Sequence, residues 1–555
     1  MIRILFSIIL LLSFDGVASN PNTLKLQFSD TVKLAKPKLV IGIVVDQMRY
    51  DYLTRFYNKY GEGGFKKLML KGFNCKNNHY NYVPTYTGPG HASIFTGATP
   101  KTHAIIGNNW HDKFLNEYVY CAGDETINSV GTLNKAGKMS PSRMKTSTFG
   151  DENRLFTQFK GKTIGVSLKD RGAILPAGHA ANAAYWFHGR DEGLFISSSY
   201  YFNELPEWVN QFNKSGRVKD YLTIWDTFYD IKSYTESGED LNTFEGGFPG
   251  KKTATFPYDL KSLSGNASDV DIIKSTPFGN SLLTDFAIEA IKNENLGKDD
   301  FTDVLTVSYS STDYIGHNFG VNSKEIEDTY IRLDKDIERF LNYLDKSIGK
   351  NNYTLFLTSD HGAIDVPNYL KSKKIPAGYI EDDSLKRKLN QFLIERFNFS
   401  GLITNISNDQ IFLNRQEILD YNLNFEAIQN AIVEELMNFD FIYKSYTSKS
   451  IREGAFKNNL EYLLQNGYNQ KYSGDVIYVT QPNYISYGPT GSTHGSALNY
   501  DTHVPLLFYG FGIVSGETFQ KTEITDIAPT ISALLGISFP NGSSTHVLDF
   551  VLKSN

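Results

Sequence analysis

The chain has 555 residues, of which 41% are hydrophobic and 21% charged; this excludes a disordered, collagen-like or coiled-coil protein and implies one large α/β unit with insertions, or two domains. Lys+Arg 55 against Asp+Glu 61 leaves a net charge of −6, which excludes a surface built to hold a polyanion, and no nucleic-acid binding is expected. Two cysteines exclude a disulfide scaffold or a cysteine-based zinc ribbon, whereas eleven histidines leave room for a His/carboxylate metal site.

Arg3 is followed by an almost wholly apolar run, Ile4 to Phe14, and then by the small residues Val17, Ala18 and Ser19. This pattern predicts an export signal over residues 1–19 and a periplasmic or secreted mature chain, with an N-terminal membrane anchor as the other reading. The apolar run is well short of the ~20 residues of a membrane span, and no later run approaches that length, so no span is expected in the mature chain. Export makes a Cys75–Cys121 disulfide chemically possible.

Lys38 to Val45 (KLVIGIVV) is a short β-branched run that reads as a buried parallel strand, with Asp46 at its carboxyl end. A helix is expected over Tyr52–Leu70. Further strands of the same kind are Thr163–Leu168, Asp303–Ser308, Tyr353–Thr358 and Val504–Tyr509, with helices at Thr148–Phe159, Asn280–Asn295 and Lys324–Leu344 between them. The alternation predicts an α/β fold: a doubly wound, mostly parallel sheet with helices on both faces. Residues 38–188, 278–366 and 484–555 are assigned to this core. Residues 189–277 and 367–483 break the alternation and are expected to be insertions that cap the sheet edge, the second carrying its own elements at Asp383–Phe397, Phe425–Met437 and Asp475–Val479.

In such sheets ligands sit beyond the carboxyl ends of the strands. Asp46, Asp313 and His317 (S-S-T-D-Y-I-G-H), and Asp360 and His361 (T-S-D-H-G) follow predicted strands, and His494 (G-S-T-H-G-S) shortly precedes the last one. Each alone reads equally as a helix cap or a turn residue. Together, three Asp and three His suit zinc, and two such sets suit two metals. Thr87, in P-T-Y-T-G-P-G-H-A-S, falls at or near a predicted helix N-terminus, where amide groups favour an anion; otherwise it is a cap. A metal would lower the pKa of its hydroxyl enough to make a nucleophile. Lys169 and Arg171 leave a strand end two residues apart, so alternation points both to one side, where they could grip phosphoryl oxygens or form a solvated pair. Asn108 is a hydrogen-bond donor for an anion, or a turn cap.

The motifs V-V-D-Q-M-R, P-T-Y-T-G-P-G-H-A-S-I-F-T-G, S-L-K-D-R-G-A, S-S-T-D-Y-I-G-H, T-S-D-H-G and S-T-H-G-S, in this order from about Lys38 to Leu535, resemble the alkaline phosphatase superfamily. Within it they look like the phosphate-irrepressible periplasmic alkaline phosphatases of the PafA type. The resemblance implies a phosphomonoesterase with two zinc ions per chain. Asp313, His317 and His494 would hold one, and Asp46, Asp360, His361 and the Thr87 oxygen the other. Thr87 would be the nucleophile, giving a phosphothreonine that is then hydrolysed, while Asn108, Lys169 and Arg171 grip the phosphoryl oxygens. Substrates would be small phosphate monoesters and the chain a monomer. The alternative in the same superfamily is a nucleotide pyrophosphatase/phosphodiesterase, which typically lacks the K-x-R element. A sulfatase is disfavoured because Met139 stands where M-S-P-S-R would need a convertible Cys or Ser. A metal-binding protein with a decayed site is disfavoured because all six Asp/His ligands are present.

Overall fold

Apolar residues on both faces of a short strand force burial on both sides, and Leu39–Val45 shows it: all seven residues are inaccessible. A computed structural model describes residues 35–553, apart from 191, 266–269, 544 and 545; the predicted export signal lies outside them. The strands of the two large sheets are, in chain order, Leu39–Val45 (β1), Phe73–Cys75 (β2), Ser129–Val130 (β3), Thr163–Ser167 (β4), Ala183–His188 (β5), Leu194–Ser198 (β6), Asp303–Tyr309 (β7), Tyr353–Thr358 (β8), Ile403–Ser407 (β9), Gln410–Leu413 (β10), Ile442–Thr447 (β11), Val476–Thr480 (β12), Leu506–Gly510 (β13) and Gly516–Thr518 (β14).

The main sheet has the order β14-β2-β13-β8-β1-β7-β4-β5-β6-β3. Its centre, β8-β1-β7-β4-β5, is parallel throughout. The carboxyl ends of β1, β4, β7 and β8 therefore share one edge. Helices cover both faces. Ile41, Ile43 and Val45 of β1 pack into one cluster with Leu333, Ile337 and Phe340 of the helix Lys324–Leu344. Val40 and Val44 pack on the other face with Ile94 and Phe95 of the helix Thr87–Thr96. Between them Gly42 has no side chain to spare: a methyl there would lie 2.7 Å from the Phe356 ring and 2.8 Å from Phe95. The glycine lets the Thr87 helix settle directly onto the sheet.

Several expectations are corrected. The helix predicted over Tyr52–Leu70 is broken into Tyr52–Arg55, a 3-10 turn at Tyr57–Lys59, and Phe65–Lys71. The Gly61–Gly64 stretch interrupts it, and Asp334 fastens the break by accepting from the Gly61 and Phe65 amides, both at 2.8 Å. The strand predicted at Val504–Tyr509 begins at Leu506 and runs antiparallel to β8. The loop before it is pinned at the carboxyl edge by Gly362 N–H donating to Asp501 O at 2.8 Å, so the chain can only run back down the sheet. The strand predicted to reach Leu168 stops at Ser167; Lys169 is the N-cap residue of the helix Asp170–Ala177, and Arg171 lies in its first turn. Strand alternation therefore does not set their direction.

The segment read as a first insertion from Gly189 is part of the core instead. β6 lies within it and pairs antiparallel with β5, and Phe195, Phe212, Trp225, Phe248 and Tyr258 are buried in the same cluster as β1. Residues 367–483 differ. They carry a separate antiparallel sheet, β9-β10-β12-β11, with a core of their own around Leu385, Leu389, Ile411, Ile428, Ile432 and Val476. The two cysteines are both free and buried, Cys75 among the Phe508 and Ile527 side chains and Cys121 among Trp110 and Ile174. The disulfide considered from export is not formed.

Candidate phosphoryl-transfer and metal site

The carboxyl edge of the parallel strands collects the predicted residues. Asp46 directly follows β1 and Asp360 lies two residues beyond β8. Asp313 and His317 stand on the helix Ser311–Phe319 after β7, and His494 is on the loop before β13. Ligand atoms of Asp46, Asp360 and His361 all lie within 4.8 Å of one another, and so do those of Asp313, His361 and His494. His361 is thus common to both groups. Its ring stacks on that of His494, with centroids 3.4 Å apart. His317 joins the second group through its Nε2, 3.1 Å from Asp313 Oδ1.

The three histidines share one arrangement. His317 Nδ1 is 2.7 Å from Ser492 O, His361 Nδ1 2.9 Å from Gly362 O, and His494 Nδ1 2.7 Å from Thr85 O. A carbonyl only accepts, so each Nδ1 carries the proton and each Nε2 presents a lone pair. Burial holds the His361 and His494 pKa values below the usual histidine range, keeping both rings neutral.

The carboxylates have too few counter-charges. Burial, then Asp313 and Asp360, push the Asp46 pKa well up. Burial also opposes ionisation of Asp313 and Asp360, yet both are held low, with the Lys169 ammonium a cause in each case. Lys169 Nζ, almost wholly buried, donates to Asp46 Oδ2 at 2.6 Å and Asp313 Oδ2 at 2.5 Å. Burial works against its charge, but those two carboxylates raise its pKa overall. One ammonium therefore faces three carboxylates. Asp46 Oδ1, Asp360 Oδ2, His361 Nε2 and Thr87 Oγ are buried without hydrogen-bond partners. Buried polar atoms are nearly always paired. Four orphans of ligand type, with an excess of negative charge and aligned imidazole lone pairs, fit divalent cations such as zinc.

Thr87 is the first residue of its helix, capped by Tyr86 with no side-chain cap bond, so it is not itself the cap. The helix presses against Asp360: a methyl on Gly90 would lie 2.5 Å from Asp360 O. Gly88 N–H donates to Asn108 Oδ1 at 2.7 Å, which fixes the Asn108 amide and leaves its NH₂ as a donor. Arg171 NH1 donates to Tyr120 Oη at 3.2 Å, and that hydroxyl donates to Asp170. Tyr120 and Asp170 hold the buried guanidinium charged against the cost of burial.

Sequence reasoning overlooked several residues here. Gln47 donates from its backbone to Asp360 Oδ1 at 3.1 Å and from Nε2 to Asp313 Oδ1 at 2.7 Å, tying two strand ends together. His91 Nδ1 lies 2.9 Å from Thr87 O and 3.3 Å from Asp360 Oδ2. Its position four residues after Thr87 on one helix face was a usable signal. Tyr120 had none, since it reaches Arg171 only through the fold.

Comparison with known proteins gives a consistent picture. Residues 40–504 match the type I phosphodiesterase / nucleotide pyrophosphatase family. The chain is 44% identical over 516 residues to alkaline phosphatase PafA of Elizabethkingia meningoseptica, covering 92% of this chain and 94% of that one. It is also 44% identical over 516 residues, with the same coverage, to a protein of Myroides odoratus named calcium-transporting ATPase. To alkaline phosphatase PhoV of Synechococcus elongatus it is 43% identical over 531 residues, covering 95% and 94%. The crystal structure of PafA matches with a TM-score of 0.91, over 94% of this chain and 100% of that one.

Proposed function

The chain belongs to the type I phosphodiesterase / nucleotide pyrophosphatase family and is a phosphate monoester hydrolase of the alkaline phosphatase kind; we propose that Thr87 is its nucleophile and that it uses two zinc ions. The observation that carries this reading is the buried, unpartnered Thr87 Oγ at a helix N-terminus against Asp360. Asp46, Asp360, His361 and the Thr87 oxygen would hold one zinc, and Asp313, His317 and His494 the other. Zinc bound there supplies positive charge for oxyanions and lowers the pKa of a hydroxyl it touches.

The chain's own residues do the rest. Thr87 Oγ attacks phosphorus, the bond from phosphorus to the ester oxygen breaks, and the alcohol departs opposite Thr87. Water then cleaves the phosphothreonine and restores the hydroxyl. Asn108 Nδ2, Lys169 and Arg171 grip the non-bridging oxygens, where the charge of the transferred group resides. A monoester dianion offers these cations one more charged oxygen than a diester does, which favours monoesters over the diester chemistry also found in the family. The calcium-transport name of the Myroides relative is not carried over, because the residues brought together here are those of phosphoryl transfer. We place the mature chain in the periplasm or outside the cell, as a monomer acting on small phosphate monoesters.

The test is a panel of monoester, diester and sulfate ester substrates sharing one leaving group, with purified, zinc-loaded protein. The monoester should be turned over fastest. A diester or sulfate preference would overturn the reading.

A further inference from the structure

The phosphoryl end of the site carries the side chains of Lys169 and Arg171; its opposite end carries no Lys or Arg. Beyond His494 lies a small pocket of about 90 Å³ whose walls include Tyr86, Tyr484, Ser486, His494, Asp409 and Asp501. No Lys or Arg is among its lining residues. On the assignment proposed above Thr87 stands with Asp360, so an in-line displacement would send the leaving oxygen towards Asp313 and His494. The pocket shares His494 with that end of the site, so it is the space next to the group that oxygen carries.

Asp409 comes from the second inserted segment. β9 and β10 are joined by the two-residue turn Asn408–Asp409, with Ser407 opposite Gln410 and φ of 53° and 55°, the type I′ hairpin that Asn and Asp tolerate. The tip docks on the active-site loop: Asn408 Nδ2 donates to Asn109 O at 2.8 Å, beside Asn108. Docking at Asn408 places the adjacent carboxylate at the pocket. Among the described residues the Asp409 side chain has no hydrogen bond or ion pair; burial and then Asp382 push its pKa up to about 7, which an arriving cation would lower again. Ser486, in the pocket wall, donates to Asp382 Oδ2 at 2.8 Å. Independently, Asp501 is 1% exposed and its Oδ1 is buried without a partner, while its other oxygen accepts from Ser496 N–H at 2.7 Å. Two carboxylates, Asp409 and Asp501, thus line an aromatic-walled space with no Lys or Arg in its wall, and Asp382 stands behind Ser486.

We propose that this pocket binds the alcohol part of the substrate and selects leaving groups that carry a positive charge, with Asp409 as the main specificity-determining residue. An alkylammonium group there would pair with Asp409 and lie against the tyrosine rings, two contacts that a neutral or anionic group forgoes. The site would be bipolar, with Lys169 and Arg171 on the phosphoryl group and Asp409 on the far end of the same molecule. This rests on the monoesterase reading above and deepens it.

The experiment compares kcat/KM for phosphocholine and 3,3-dimethylbutyl phosphate, which match in shape and differ by one positive charge, in wild type and Asp409→Asn. Asn keeps the turn, since it is at home at positive φ. Wild type should favour the charged ester by about tenfold, and the variant should lose most of that ratio, the scale of one partly buried cation contact. Equal kcat/KM for the two esters in wild type, or a ratio unchanged in Asp409→Asn, overturns the inference alone. No turnover of either ester overturns the monoesterase reading and this inference with it.

Discussion

Lys169 Nζ lies 2.5 Å from Asp313 Oδ2 while its other bond reaches Asp46, so one side chain spans the strand ends that flank the site. A lysine held there is already inside the site, among the groups proposed to hold the metals. Arg171, braced by Tyr120, sits close enough that its charge opposes that of Lys169. Removing both should reveal what they read. The double variant Lys169→Ala/Arg171→Ala should shrink the monoester-over-diester preference by at least ~10²-fold, the scale of one lost water-excluded donor. The losses need not add, because both groups act on one phosphoryl centre. The measurement is kcat/KM for a monoester and a diester with a common leaving group; equal slowing of both would mean the pair does not read phosphoryl charge.

Metal content is checked directly. Elemental analysis of active protein should find about two zinc ions per chain, and chelation should abolish turnover. Asp360→Ala and His361→Ala should each lower metal affinity, since each removes a ligand of the ion assigned to Asp46, Asp360 and His361. One metal in fully active wild type would refute the two-ion site.

Thr87→Ala should leave the fold intact, since its hydroxyl has no hydrogen bond to lose. Monoester turnover should fall by at least ~10³-fold, the scale of a lost nucleophile, and Thr87→Ser should retain substantial activity. Acid trapping of labelled phosphate followed by peptide mapping locates the phosphoryl group; a label on any other residue would remove Thr87 from the role.

Away from the site, His103 sets a pH dependence of stability. Ile105 N–H donates to its Nδ1 at 3.1 Å, so Nε2 carries the proton and donates to Ser93 Oγ at 2.9 Å. Burial lowers its pKa from 6.5 to about 3. The unfolded chain therefore takes up a proton below about 6.5 that the folded chain refuses until about 3. Stability is fully present above the unfolded value and falls by about 1.4 kcal/mol per pH unit through that window. Urea unfolding across pH 4–7 should show His103→Gln with a shallower acid slope than wild type. An identical slope would mean His103 is not the group titrating.

Much of this was visible in the residues. Tyr353–Thr358 and Lys324–Leu344 form the elements their patterns predict, because β-branched runs and a 3.6-residue repeat report burial directly. Asp46, Asp313 and Asp360 were legible because a carboxylate just after a buried strand has only one edge on which to lie. Direction was not legible: the apolar run Leu506–Phe508 fits a strand running either way, and its sense is set by distant bonds that hold the preceding loop, among them Gly362 N–H to Asp501 O and Tyr80 N–H to Thr502 O. Nor was Arg171's brace, since Tyr120 lies 51 positions away and carries no local mark. The Asn408–Asp409 turn has a hairpin signature, but nothing in it says that its tip meets Asn109, 299 positions earlier.

The two thiols lie in different cores on opposite sides of the Thr87 helix's surroundings, Cys75 with Phe508 and Cys121 with Trp110. Burial raises both pKa values to about 12, so neither offers a thiolate to an oxidant at neutral pH. The folded protein is consequently indifferent to the ambient redox potential. Its covalent state is the same two thiols in a reducing compartment as in an oxidising one.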